Sequence, residues 1–168
     1  MAILPAGKQL HIANGIREFA IASPRVTAVI DGPRKLTYAA LDDRSSRVAN
    51  LLLTKGLKPG DHVAFLSGNR LEYCEVAAGI AKAGMVMIPM NPRSAPPEID
   101  FIFEHSDAKA MILDGALAEN ASVALENHRP DFILSFDNNV VGMDYESSID
   151  TASFTDPRIH VEETDPFA

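Results

Sequence analysis

Arg93 is the residue of this chain best placed to do chemistry. It follows the apolar run Met85–Ile88 and comes directly after Asn91 and Pro92. The X-Pro step restricts the local backbone and would hold the arginine outward from the end of a strand. A guanidinium is always charged and matches the geometry of phosphate oxygens. Arg93 is therefore a candidate phosphate contact, and a solvated or salt-bridged surface arginine is the simpler alternative.

A second candidate is the loop of residues 67–70, which lies between an apolar run and a helical segment. Ligands of doubly wound sheets bind at the carboxyl ends of the strands, so this loop could face a site. The alternative is a plain turn in which Asn69 caps the following helix. Turn chemistry alone accounts for these residues, so the sequence favours the plain turn.

Motifs of catalysis and of metal binding are absent from the 168 residues. The sequence contains no G-x-G-x-x-G, no G-x-x-x-x-G-K-[ST] and no G-x-S-x-G. Tetrahedral zinc needs clustered nitrogen or sulfur ligands, and the five histidines are scattered without an i, i+4 pair. Cys74 lies among apolar residues and is expected to be a buried, inert thiol. We predict no catalytic residue and no metal ligand.

The elements that would position these candidates alternate between apolar runs and helical segments. Thr37 is placed to cap a helix that ends at Gly56, and Gly84 ends the helix of residues 71–82. A small hairpin is expected around residues 31–34. The other expected elements are strands at 26–30, 63–66, 85–88, 110–113 and 132–134, and helices at 11–22, from 96, and at 117–125. This alternation predicts an α/β fold, a layered helix-sheet-helix arrangement with a mainly parallel sheet.

The pattern divides the chain at about residue 136. Residues 1–136 form the predicted α/β subdomain. Residues 137–168 are acidic and have few periodic apolar positions. We expect them to form a poorly ordered connection, with one strand near Ile159–Val161. Glu162, Glu163 and Asp165 are interpreted as a solvated linker.

Composition limits the class of protein. The net charge of −8 repels phosphate backbones and anionic surfaces, which makes nucleic acid an unfavourable partner. No segment approaches the roughly 20 apolar residues of a membrane span. One cysteine cannot form an intrachain disulfide, and the first residues do not resemble a signal peptide. A cytoplasmic protein is expected.

Five short segments, taken in order, carry a resemblance to one family of enzymes. They are Leu36–Tyr38, Gly56–Asp61, Ala81–Gly84, Ile88–Arg93 and His105–Lys109. With these segments the chain resembles the N-terminal part of the adenylate-forming, or AMP-binding, superfamily, well over residues 19–114 and loosely over 131–168. The superfamily includes acyl-CoA synthetases, of the fatty-acid or aryl-CoA ligase kind, and peptide-synthetase adenylation domains.

The resemblance implies ATP-dependent activation of a carboxylic acid to an acyl-adenylate, followed by transfer to coenzyme A, with magnesium assisting. The family's phosphate loop, Y-T-S-G-T-T-G-x-P-K-G, is absent, and residues 165–168 resemble those just upstream of it. The resemblance therefore implies an N-terminal portion that is inactive by itself and binds no cofactor tightly. Arg93 matches an arginine that can meet the coenzyme A nucleotide phosphate. Surfaces that meet the remainder of the enzyme would be exposed, so self-association is expected.

Two alternatives remain open. The chain could belong to an adenylation domain that loads a carrier protein. It could also be a natural short binding module without catalysis. A free-standing nucleotide-binding domain is disfavoured by the lack of a glycine-rich phosphate loop.

Overall fold

A five-stranded parallel sheet organises the residues that the computed structural model describes, 11–137, 141–162 and 164–168. Its strand order is β4-β3-β5-β6-β7, and an antiparallel hairpin, β1-β2, lies outside it. The elements in chain order are α1 Ile12–Ala22, β1 Thr27–Asp31, β2 Arg34–Thr37, α2 Tyr38–Thr54, β3 His62–Leu66, α3 Leu71–Lys82, β4 Val86–Met90, α4 Pro96–Ser106, β5 Ala110–Asp114, a 3₁₀ turn Gly115–Leu117, α5 Ala118–His128, β6 Phe132–Phe136, β7 Met143–Asp144 and α6 Tyr145–Asp150.

Helices cover both faces of the sheet, which confirms the predicted fold class. Successive residues of a strand point to opposite faces. Phe65 of β3 accordingly packs with residues of α2, α3 and α6, whereas Leu66 packs with residues of α4 and α5. Strands buried on both faces read as continuous apolar runs, and this is why the central strands could be recognised in the sequence.

The strand order reverses at β3. The chain passes from β3 to β4 on one side and then crosses back to β5 on the other side. In open parallel sheets this reversal opens a crevice outside the carboxyl ends of the strands. The loops that follow β3, β4 and β5 are therefore the places to look for a site.

The structure contains the helix cap and the helix-ending glycines that the sequence predicted. The Thr37 hydroxyl accepts a hydrogen bond from the Ala40 N–H at 3.2 Å and caps α2. Gly56 follows α2 with φ +97°, and Gly84 follows α3 with φ +67°. Only glycine adopts such angles without strain, so both positions end a helix cleanly.

The segment after β6 differs from the expected poorly ordered connection. Met143–Asp144 pairs in parallel with β6, and α6 follows it at once. Tyr145 and Ile149 of α6 are buried in the core. A two-residue strand and a six-residue helix are too short to leave a readable period in the sequence.

The strand expected near Ile159–Val161 is not formed, and these residues have no regular structure. They contact the body through side chains, because an added Cβ on Gly84 would meet Ile159 at 3.0 Å and Val161 at 3.3 Å. Glu163 of the expected acidic linker lies outside the described residues, as do residues 1–10. None of the helices within the described ranges has the length and apolar character to cross a membrane.

Candidate functional site

Arg93 lies on a tight turn at the carboxyl end of β4. The Ser94 N–H donates to the Asn91 carbonyl at 2.9 Å, and the Arg93 N–H donates to Asn91 Oδ1 at 2.9 Å. The two bonds fix the backbone that carries the arginine. Its side chain is exposed and forms no ion pair with any residue in the described part of the chain. The structure thus presents an available guanidinium on a fixed support.

An open groove lies directly beside this turn. Asn91 and Ser94 of the turn line it, together with residues on the first two turns of α4. Its volume is about 530 Å³, and its apolar lining residues are Pro97, Phe101 and Ile102. Arg93 lies between Asn91 and Ser94 in the chain but does not line the groove, which we refer to below as the α4 groove.

Arg70, in the loop of residues 67–70, is engaged in a different way. Its Nη1 lies 2.9 Å from Asp137 and 3.6 Å from Asp114, and its Nε lies 2.9 Å from Glu72. Its guanidinium carbon also lies 4.1 Å from the ring centroid of Phe136. Arg70 therefore links the loop after β3 to the ends of β5 and β6.

The electrostatics of Arg70 agree with this structural role. Burial opposes its charge, but hydrogen bonds to Asp137 and Glu72 outweigh burial and raise the pKa of Arg70. Glu72 also pairs with Arg34 of the hairpin. The plain-turn interpretation of the loop is favoured, but the expected cap is wrong. The residue that caps α3 is Arg70, not Asn69, and its side chain makes no capping bond.

Two charged groups are fully buried between α2 and α3. Glu75 is 0% exposed and bonds to Arg44 Nε at 2.7 Å, while Lys82 is 0% exposed and bonds to Asp42 Oδ1 at 2.6 Å. Burial raises the pKa of Glu75 and lowers that of Lys82, and in each case the partner offsets part of the shift. Shifted pKa values can mark functional sites. These groups are paired and covered, so they contribute to the packing of the helices instead.

Cys74 is exposed, contrary to the sequence expectation of a buried thiol. It lies on the outer face of α3, which could not be identified because most positions of this helix are small or apolar. Partial burial and the neighbouring Glu75 carboxylate raise the pKa of Cys74. A raised pKa lowers the thiolate fraction, which disfavours nucleophilic chemistry at Cys74.

Metal ligands are not assembled in the described ranges. No group of three or more His, Cys, Asp or Glu side chains there could hold a metal ion. Histidine side chains instead form hydrogen bonds within the fold. For example, His128 Nε2 lies 3.0 Å from Asp100 Oδ1, and the His11 ring accepts the Ala13 N–H at the start of α1.

Comparison with known proteins gives a consistent set of relatives. A family model described as AMP-binding enzyme matches residues 16–166. The long-chain-fatty-acid–CoA ligase FadD13 of Mycobacterium tuberculosis is 37% identical over 99 residues, which are 58% of this chain and 20% of the relative. Feruloyl-CoA synthase of an Amycolatopsis species is 42% identical over 90 residues, 54% of this chain and 18% of the relative.

A solved structure shares the fold. The crystal structure of the N-terminal domain of FACL13 from Mycobacterium tuberculosis superimposes with a TM-score of 0.82 at 26% sequence identity. The superposition covers 93% of this chain and 40% of that one. The chain spans about a fifth of the length of the two curated relatives.

Proposed function

The chain belongs to the AMP-binding enzyme family, and on that premise we propose that it is the N-terminal α/β part of an ATP-dependent acyl-CoA ligase. Such an enzyme joins a carboxylate to AMP with release of pyrophosphate. It then transfers the acyl group to the coenzyme A thiol with release of AMP. The observation that carries the proposal is the family match over residues 16–166, which spans the whole sheet and α2 to α6.

ATP and magnesium do not fit the residues of this chain. Stabilising the charge that develops on the α-phosphate needs oriented donors and a metal. The sequence has no glycine-rich loop ending in lysine, and the described residues contain no cluster of metal ligands. We therefore assign no step through ATP or magnesium to this chain, and we propose no catalytic residue in it.

Coenzyme A is the substrate that this chain is suited to contact. We propose that Arg93 binds a phosphate of the coenzyme A nucleotide. Three observations support this role: the exposed side chain, the lack of an ion pair within the described ranges, and the two hydrogen bonds that fix the turn. Arg70, the other arginine after a central strand, is already saturated by carboxylates.

The proposed carboxylate is a medium- or long-chain fatty acid or an aryl acid. This proposal is supported by the named activities of FadD13 and feruloyl-CoA synthase. A cytoplasmic location is proposed with it, supported by the single cysteine of the chain, which suits a reducing compartment.

Self-association of the isolated chain is proposed from its surface. Phe19 and Ile21 of α1 and Ile30 of the hairpin are large apolar side chains exposed to solvent, Ile21 to 79%. Light scattering of the purified chain is expected to show a mass that rises with concentration. A constant monomeric mass at high concentration would contradict this expectation.

ATP–pyrophosphate exchange tests the proposed function in two arms. The purified 168-residue chain is expected to show no exchange with any carboxylate. The product of the complete reading frame that contains this chain is expected to show exchange with fatty or aryl acids and to form the coenzyme A thioester. Exchange by the 168-residue chain alone would contradict the assignment of catalysis to other residues. A product formed only on a carrier protein would identify a carrier-loading enzyme.

A further inference from the structure

After α6 the chain returns from one end of the sheet to the other. β7 and β4 are the two outer strands of the sheet, and α6 follows β7 directly. The segment after α6 ends beside β4, where the Met87 N–H donates to the Phe167 carbonyl at 2.7 Å. Its described residues, 151–162 and 164–168, form neither helix nor strand, and we refer to them as the C-terminal strap. Contacts other than a hydrogen-bonded ladder must therefore fix its path.

Two side chains of α2, Arg47 and Asn50, donate hydrogen bonds to five main-chain carbonyls at the end of α6 and the start of the strap. Arg47 Nη1 donates to the carbonyls of Ile149 at 3.4 Å, Asp150 at 3.0 Å and Ala152 at 3.1 Å. Asn50 Nδ2 donates to the carbonyls of Ser153 at 2.8 Å and Thr155 at 2.7 Å. Water can satisfy the carbonyls of an exposed segment. Donors from one helix satisfy them here, and this ties the segment to a single position on α2.

Further contacts continue the attachment of the strap toward β4. Arg17 Nη2 of α1 donates to Asp156 Oδ1 at 2.9 Å, and Ile159 lies against Gly84 at the end of α3. Phe167 packs against the core beside its bond to β4. Apolar burial contributes little at the start of the strap, because Phe154 is 64% exposed. The bonds from α2 are therefore the main attachment there.

We propose that Arg47 and Asn50 are positioning residues, which fix where the strap meets β4 and thereby place the part of the enzyme that the strap leads to. This inference rests on the proposed function, in which the catalytic residues lie outside this chain. Catalysis depends on exact placement, since a shift of about 1 Å in a reacting group can lower the rate about a hundredfold. Neither residue touches a substrate in this account, so their loss lowers kcat and leaves KM unchanged.

The first measurement is hydrogen exchange of the Met87 amide in the purified chain, followed by NMR. Asn50→Asp keeps the size of the side chain and removes both donated bonds, and Arg47→Met keeps the apolar stem and removes the guanidinium. Contacts of one segment open together as a unit. We therefore expect the Met87 amide to exchange about tenfold faster in either variant, which corresponds to about 1.4 kcal/mol. The Val86 N–H, which donates to the Asp61 carbonyl at 3.0 Å, is the internal control and is expected to exchange at an unchanged rate.

The second measurement is ATP–pyrophosphate exchange by the product of the complete reading frame. We expect Asn50→Asp and Arg47→Met each to lower kcat about tenfold and to leave KM for ATP and for the carboxylate within about twofold of wild type. Ile112→Val is the matched control for lost stability, because it shortens a fully buried side chain of β5 in the sheet interior. Its kcat is expected to equal that of wild type below its Tm. Circular dichroism checks the fold of each variant.

The outcomes distinguish this inference from the proposed function. Unchanged exchange of the Met87 amide in both variants would overturn the claim that Arg47 and Asn50 fix the end of the strap. Faster amide exchange with unchanged kcat would overturn the positioning role and leave the strap as a plain connection. A loss of kcat in Ile112→Val as large as in the two variants would assign the effect to stability and overturn it as well. Absence of ATP–pyrophosphate exchange in the wild-type product would overturn the proposed function, whereas the Met87 amide would still decide how the strap is held.

Discussion

Tyr145 provides a direct test of how the C-terminal part of the chain is held. Its hydroxyl donates to Glu75 Oε2 at 2.8 Å, and both side chains are fully buried. Tyr145→Phe keeps the ring and removes only the donor. A buried carboxylate oxygen then loses its partner, and a hydrogen bond to a charged group contributes about 1.5–3 kcal/mol. We expect Tyr145→Phe to lower the free energy of unfolding by about 2 kcal/mol.

Urea unfolding followed by circular dichroism measures this change. For a chain of this size, 2 kcal/mol corresponds to a fall in Tm of roughly 4–8 °C. Tyr73→Phe is the matched control, because Tyr73 is only half-buried and its hydroxyl makes no hydrogen bond to any of the described residues. The control is expected to change stability by less than about 0.5 kcal/mol. Equal stabilities of the two variants would refute the claim that α6 is packed onto α3 through this bond.

Three further substitutions probe other parts of the fold. Burial opposes the charge of Asp156, but its hydrogen bonds, chiefly from Arg17, lower its pKa below the ordinary 3.8. The stabilisation of the fold by the ionised Asp156 carboxylate is therefore complete above that pKa and is lost as the pH falls below it. The Tm advantage of wild type over Asp156→Asn should be constant near neutral pH and should shrink below about pH 4. Ser135→Ala should leave stability unchanged or raise it by up to about 1 kcal/mol in urea unfolding, because the Ser135 hydroxyl is buried without a hydrogen-bond partner in the described structure. Gly79→Ala should cost about 1–3 kcal/mol in urea unfolding, because the new Cβ would lie 2.5 Å from Val48 Cβ and 3.0 Å from the Ser45 carbonyl oxygen.

Features that depend on local chemistry could be predicted from the sequence. The Thr37 cap and the glycine after α2 each act within one turn of chain, so their residue types are sufficient evidence. The apolar runs of the central strands were equally informative, because a strand buried on both faces has few polar positions. The helix of residues 71–82 was predicted at the same bounds that α3 has.

Features that depend on distant contacts could not be predicted in this way. The sequence indicated only that the loop of residues 67–70 could face a site or form a plain turn, and only the fold brings Asp114 and Asp137 within reach of its Arg70. The exposure of Cys74 depends on which face of α3 meets α2, which periodicity cannot resolve in a helix of small residues. The burial of Tyr145 depends on Glu75, seventy positions away in the chain.

The same distinction applies to the candidate site. The Asn91 turn and the X-Pro step before Arg93 are local, and the sequence placed this arginine at the carboxyl end of a strand, where it lies. The α4 groove was missed. Phe101 is the residue that could have indicated this groove. It is an exposed aromatic on the outer face of α4, where a surface helix usually carries a polar residue.

The most direct test of the central claim is the affinity of the purified chain for coenzyme A compared with dephospho-coenzyme A, measured with Arg93 intact and in Arg93→Gln. If Arg93 contacts the 3′-phosphate, the wild-type chain binds coenzyme A more tightly than the dephospho form, by about tenfold for a charge-assisted contact of roughly 1.5 kcal/mol. Arg93→Gln then binds the two ligands equally. Equal affinities in the wild-type chain, or a preference that survives in Arg93→Gln, would contradict the claim.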